Sequence, residues 1–301
     1  MRNIIEYNNL IWVDIVEPTE EDVEYLKNNF RLHPLILATL LPPIHHPDIE
    51  IFGNYLFIIL HHLVLNRGGM EVQELNIIAG KNFLVTNHYK IIQPLNSIFE
   101  ECLKSEKAKM DYLKRGIGYL LFTILKKPLR EKLTEIDEIE DEIDLLEKEI
   151  LSAKERETVK KVSFLKTKIL DFWRIIGPQK IIFESLKNTA PKLFGLDFQP
   201  YYFSLLRIYR AIEDTIKNLK ETIESLEETS HILVTFNLNE IMKILTIFSA
   251  IILPLTLLAS IWGMNTALPL AERPFGFWLI IFIMLITFGA TVTYFKSRKW
   301  F

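Results

Sequence analysis

The spacing of hydrophobic positions changes character along the chain, from short alternating runs to long helical periods and then to two unbroken apolar stretches. Residues 10–16 read as a strand, and Thr19 with Asp22 forms a capping-box pattern opening a short helix after Pro18. Pro34, Pro42, Pro43 and Pro47 then interrupt the chain. From Ile49 to Asn87, strand-like runs separated by Gly53-Asn54, Gly68-Gly69 and Gly80-Lys81-Asn82 predict an antiparallel meander. With helical patterns around it, this predicts a mixed α/β domain over residues 1–127.

From Pro128 the strand signals cease. Ile136, Ile139, Ile143, Leu146 and Ile150 recur at 3-4 spacing, as do Val162, Leu165, Ile169, Phe172 and Ile176, before Gly177-Pro178 breaks the pattern. Residues 128–200 are thus expected to be an acidic helical pair, antiparallel or kinked. A last helical period starts near Pro200 and meets no proline before Pro254. Taken as one helix to Trp262 it spans about 90 Å at ~1.5 Å per residue. Residues 201–243 would form a stalk, and only the remainder would fit a bilayer.

Residues 244–262 and 275–295 carry no charge, and each matches the roughly 20 residues that cross a ~30 Å hydrocarbon core. Trp262, Trp278 and Tyr294 sit near their ends, as interfacial aromatics do. The pair predicts a transmembrane hairpin joined by an extracytoplasmic loop over 263–274. Lys243 precedes it and Lys296, Arg298 and Lys299 follow it in the tail 296–301, whereas the loop holds only Glu272 and Arg273. By the positive-inside rule both termini face the cytoplasm, giving a multi-pass protein of the cell (inner) membrane.

Composition alone would not have revealed this, because the hydrophobic content of 49% is only at the high end of globular usage. A net charge of -3 offers no basic field for nucleic acid, and the single cysteine, Cys102, forms no internal disulfide or cysteine metal motif. The N-terminus has no apolar core or cleavage site of a secretory signal. Phosphate loops, nucleophile elbows and zinc-protease motifs are absent, which argues against an enzyme, and no cofactor is implied. His45-His46 and His61-His62 are adjacent pairs; on a strand such neighbours point to opposite faces and do not chelate.

Along the end of the long helix, Asn239, Met242, Thr246, Ser249, Leu253, Thr256, Ser260 and Gly263 share one face that is richer in small and polar groups than its neighbours. Such a stripe can serve helix packing. It can also line a pore, which needs several subunits to close it. With no ionisable side chain in either span, an ion would meet hydroxyl, amide and carbonyl oxygens, which suits Mg2+ with its retained waters. Met242 and Leu253 would be apolar constrictions.

Immediately after the first span comes Trp262-Gly263-Met264-Asn265. With Asn239 to Thr246, Leu253-Pro254-Leu255-Thr256, the basic tail, and weaker matches at Trp12 to Ile15, Tyr55-Leu56-Phe57 and Lys81 to Thr86, the sequence resembles the CorA family of divalent metal ion transport proteins. The resemblance implies a funnel-shaped homopentamer with a cytoplasmic α/β domain, a long helical stalk and two C-terminal transmembrane helices. It implies Mg2+ influx, selection of the hydrated ion at a ring of Gly263, Met264 and Asn265, and pore positions at Asn239, Met242, Leu245, Leu253, Thr256 and Asn265. It also implies closure by intracellular Mg2+ as a regulatory ion at acidic sites between subunits.

Candidates for those sites are Glu135, Glu138, Asp141 and Glu142 on the acidic helix, where residues 131–150 hold ten carboxylates against two lysines, and Glu227 and Glu228 on the stalk. A solvated acidic face is the plainer explanation of the helix. Trp262 stands where many Mg2+-selective members carry tyrosine, and the loop Thr266 to Glu272 with Pro274 to Trp278 after it resembles the branch containing ZntB zinc transporters, while Met264 does not. Alternatives are therefore a transporter of Zn2+, Co2+ or Ni2+, and a non-conducting membrane-anchored coiled-coil sensor.

Overall fold

A computed structural model describes residues 2–66, 69–151, 155–264, 275–298 and 300. The chain divides into two compact units, Met1–Glu227 and Glu228–Phe301. The fold class is as expected: an α/β domain, a long helix, and two C-terminal apolar helices.

In the first unit, six strands form one sheet in the order β1(Arg2–Tyr7), β2(Leu10–Val16), β6(Phe83–His88), β5(Gly69–Gly80), β4(Tyr55–Asn66), β3(Asp48–Phe52). Strands β3 to β6 are the predicted antiparallel meander. The β2–β6 pair is parallel, and β2, held between β1 and β6, is buried on both faces, with Trp12, Val13 and Ile15 fully enclosed. The short edge strand β1, with only Ile5 deeply buried, carries too weak an alternation to be read from sequence.

Helix α1(Glu20–Phe30) starts at the predicted cap: the Thr19 side chain accepts from Asp22 N, and Thr19 N donates to Asp22 Oδ2 at 3.2 Å. With α2(Pro34–Thr39) it covers the sheet face bearing Val13, Ile15, Phe57, Ile59, Ile78 and Val85. The opposite face carries Trp12, whose ring meets Phe99 of α3(Gln93–Lys104) edge-on at 4.7 Å. A buried polar chain crosses the parallel pair on that face. Trp12 Nε1 donates to Thr86 Oγ1 at 3.1 Å, Thr86 donates to Asp14 Oδ1 at 2.5 Å, and His88 Nε2 lies 3.2 Å from the same oxygen. The carboxylate is 3% exposed, so only these partners offset its desolvation.

After α4(Glu106–Leu113) comes α5(Ile117–Leu151), which begins earlier than the periodicity from Pro128 suggested and carries that proline inside it. Proline there forfeits one backbone bond, but Ile117, Leu120, Leu121, Ile124 and Leu125 bury the preceding turns and hold them helical. Helix α6(Glu155–Ile176) pairs with α5, and the heptad residues from Ile136 to Ile176 are its buried seam. Beyond Gly177–Gln179 an additional helix, α7(Lys180–Phe194), precedes α8.

Helix α8(Gln199–Trp262) is a single helix of 64 residues. In the first unit it buries Tyr202, Leu205, Tyr209, Ile212, Ile216 and Ile223. In the second unit α8 and α9(Gly276–Ser297) each contain an apolar window long enough to cross a membrane, little of it buried within the chain.

Thr86→Val keeps the shape of the side chain but leaves the Trp12 indole without its acceptor and Asp14 Oδ1 with His88 alone. It is expected to destabilise the first unit by about 1–3 kcal/mol, read as a lower midpoint in thermal or denaturant melts of the full chain.

Candidate functional site

Within the second unit, Ile247 and Ile280 are buried, and Leu255 of α8 with Ile281, Met284 and Leu285 of α9 lines an apolar groove. At ~100° per residue, Ile247, Ile251, Pro254 and Leu258 point the same way, and Thr256 lies on the opposite side. Helix α9 therefore occupies one face of α8 and leaves the polar stripe uncovered. Asn239, Met242, Leu245, Thr246, Leu253, Thr256 and Ser260 are all exposed, and Ser249 is half-buried.

Two hydroxyls on this stripe are already committed as donors. Thr246 Oγ1 donates to Met242 O at 2.7 Å, and Thr256 Oγ1 donates to Ile252 O at 3.0 Å. Each spends its single proton on the preceding turn, so the lone pairs are what remains to face outward. A surface of this kind accepts hydrogen bonds, which matches the water shell of a hydrated cation, all of whose outer hydrogens are donors. Leu253, 66% exposed, and Met242, 59% exposed, interrupt it with bulky apolar groups.

Helix α8 ends at the tripeptide. Gly263 N donates to Ala259 O at 2.9 Å and Met264 N to Ile261 O at 3.4 Å, tightening the last turn. Gly263 is not in the left-handed region, so an ordinary glycine C-cap does not explain it. A Cβ there would lie 3.3 Å from the Ala259 carbonyl oxygen. Met264 is 56% exposed. Asn265, the loop residues Glu272 and Arg273, and Lys299 of the tail lie outside the described residues.

The candidate regulatory acids are not gathered into one place. Glu135 receives Lys132 Nζ at 2.8 Å, Glu142 receives Lys168 Nζ at 3.0 Å, and Glu227 receives Lys166 Nζ at 2.6 Å. The bond to Glu227 raises the Lys166 pKa. Glu138 and Asp141 are exposed on α5, and Glu228 is exposed on α8. Among the described residues no group of three or more His, Cys, Asp or Glu could hold a metal. The α6 lysines that pair with α5, Lys161 and Lys168, were invisible to a reading of α5 alone, although they stand seven residues apart on one side of the next helix.

The histidine pairs behave as strand and loop neighbours, not as chelates. His61 Nε2 lies 2.8 Å from the His45 carbonyl oxygen, and His45 N donates to the buried Glu74 carboxylate. His62 borders a cavity of about 50 Å³ with Leu60, Leu129, Lys132 and Tyr209. Burial, then the nearby Lys132 charge, lowers its pKa from 6.5 to about 4.

The sequence profile of the family described as "CorA-like Mg2+ transporter protein" matches residues 7–297. The chain is 28% identical over 294 residues to the cobalt/magnesium transport protein CorA of Thermotoga maritima, covering 96% of this chain and 83% of that one. It is 26% identical over 296 residues to the protein of the same description from Methanocaldococcus jannaschii, covering 97% and 91%. The solved complete structure of the CorA magnesium transporter from Methanocaldococcus jannaschii superposes with a TM-score of 0.83 at 25% identity, covering 99% of this chain and 94% of the other.

The lowered His62 pKa has a consequence for stability. Between about pH 6.5 and 4 the unfolded chain takes up a proton that the folded chain refuses, so this contribution is complete above 6.5 and lost as pH falls toward 4. His62→Leu should flatten that part of the pH dependence in melting experiments across this window; parallel curves for the two proteins would refute it.

Proposed function

Because the chain belongs to the CorA-like Mg2+ transporter family, we propose that it is a divalent cation channel mediating Mg2+ influx, assembled as a homopentamer with both termini in the cytoplasm. The observation that carries this reading is the polar stripe of α8, Asn239 to Ser260, on the face that α9 leaves open, which Gly263-Met264-Asn265 follows in the sequence. One α8 helix encloses nothing, whereas a ring of such stripes surrounds an axis with hydroxyl oxygens and apolar rings in succession. Packing between subunits and lining a pore are then the same arrangement, since the residues nearest the axis both touch across it and face the ion path.

In this reading Thr246, Ser249, Thr256 and Ser260 accept hydrogen bonds from the waters of the passing ion, and Asn239 does so at the cytoplasmic side. Met242, Leu245 and Leu253 are hydrophobic constrictions that can gate by excluding water. Asn265 offers an amide oxygen at the outer mouth, where Gly263 brings the backbone close. Retaining the shell spares the high cost of dehydrating Mg2+, and the absence of carboxylates along the spans lets the ion leave as readily as it enters. The exposed acids Glu138, Asp141 and Glu228 are regulatory candidates, together with the lysine-paired Glu135, Glu142 and Glu227, if a neighbouring subunit or Mg2+ displaces the lysines.

Purified protein in liposomes should take up Mg2+, cobalt hexammine as a mimic of the hydrated ion should block it, and Asn265→Ala should abolish it. Zn2+ flux without Mg2+ flux would replace this reading with the zinc-transporter one, and no flux of either would leave the non-conducting sensor.

Raising internal Mg2+ to the millimolar range should lower flux. Flux that stays constant across that range would remove the regulatory role of the acidic residues.

A further inference from the structure

In the first unit, a cleft of about 380 Å³ is lined by Lys81, Arg115 and Lys192 together with Gly116, Gly118 and Phe198. The three cations come from separate parts of the chain: the turn between β5 and β6, the residue pair before α5, and the last turn of α7. No carboxylate lines the cleft, and neighbouring Asp197 is not among its lining residues. The chain as a whole has 38 acids against 35 lysines and arginines, and elsewhere its lysines are commonly paired: Lys90 with Glu71, Lys161 with Glu149, Lys180 with Glu213. Lys81, Arg115 and Lys192 have no acid within 4.0 Å among the described residues. Three like charges around one hollow, with no acid among its lining residues, give it a positive potential that attracts an anion.

The walls are fixed before any ligand arrives. A Cβ on Gly118 would meet the Phe194 side chain at 2.8 Å, so the first turn of α5 is pressed against the end of α7. The buried Tyr202 hydroxyl donates to Gly118 O at 2.8 Å and ties both to α8. Arg115 is steadied by donating to Tyr201 Oη at 3.1 Å and by lying over the Tyr119 ring, which leaves its other N–H groups available. Gly116, at φ +86°, and Gly195, at φ +119°, have no heavy atom within 4 Å of where a side chain would stand, so the backbone is open to close approach. The cleft also lies at the N-terminal end of α5, where backbone N–H groups lack intrahelical acceptors and the helix dipole is positive.

We propose that this cleft binds the phosphate groups of a small polyphosphate anion, a nucleoside triphosphate being the cellular form that fits its size and the adjoining Phe198 ring. An inositol phosphate headgroup offers the same chemistry from a lipid, and the test separates the two. The cleft lies within the first unit, and binding to it is measured without flux.

Titration calorimetry on the full chain in detergent, at low salt and without divalent ions, uses ATP, pyrophosphate, inositol trisphosphate and adenosine. ATP and pyrophosphate should bind saturably and weaken with added salt, and adenosine should not bind. Lys81→Glu and Lys192→Glu should each weaken binding about tenfold or more, as expected for loss of a charge-assisted contact. Both side chains are exposed, so the melting temperature should stay unchanged, and Lys81→Gln with Lys192→Gln repeats the comparison with the smaller charge change. Inositol trisphosphate binding at least tenfold more tightly than ATP would assign the phosphate site to a lipid headgroup. Absence of saturable binding for all the anions, or binding that both charge reversals leave unchanged, would overturn the proposal.

Discussion

The hydrogen-bond ladder of α8 is the constraint on which the rest of the molecule depends. A backbone inside hydrocarbon must satisfy its own polar groups, and a helix does so without outside help. The same 64-residue helix also supplies Tyr202, Tyr209, Ile212 and Ile223 to the core of the first unit. Threonine at the stripe reinforces the arrangement, because Thr246 and Thr256 bond back to the carbonyls of Met242 and Ile252 and so carry no unsatisfied donor into an apolar setting. The acceptor character of the stripe is a by-product of that satisfaction: with the Thr246 and Thr256 protons spent on the backbone, their lone pairs remain on the surface.

A second constraint acts in the first unit. The parallel contact between β2 and β6 joins residues more than seventy positions apart and buries a carboxylate at its centre. Asp14 is tolerated there because Thr86 and His88 face it, and Thr86 is in turn held by the Trp12 indole. This chain of bonds fixes the register of the sheet, since a slip of one residue would turn Asp14 to the other face, against Val85 and Ile78.

Charge is handled by pairing in some places and left open in others. The acidic α5 is matched by lysines of α6 at Glu142 and Glu149 and by its own Lys132 at Glu135, so part of the charge density of residues 131–150 is answered within the chain, and Glu227 of α8 is matched by Lys166. The cations around the glycine-lined cleft have no acid within 4.0 Å among the described residues. Charges on long side chains near the surface cost little when solvated, so such an imbalance persists without harming the fold.

Much of this was legible in the sequence, because the signals are local. β2 over residues 10–16, the Thr19 cap, the meander, the heptad seam and both apolar spans each follow from spacing within a few turns or strands. So did the polar stripe, since residues 3 and 4 apart on a helix share a face whatever surrounds it. Local pattern could not place the parallel β2–β6 contact, the start of α5 upstream of Pro128, or the partners of Glu142 and Glu227. Pairing across the sheet is set by which strands the whole topology brings together, and a proline's effect on a helix depends on how well the flanking turns are buried. The sequence by itself determined which segments are helical, apolar and polar-striped; only the tertiary structure decided which face of α8 stays open, because that depends on where α9 packs.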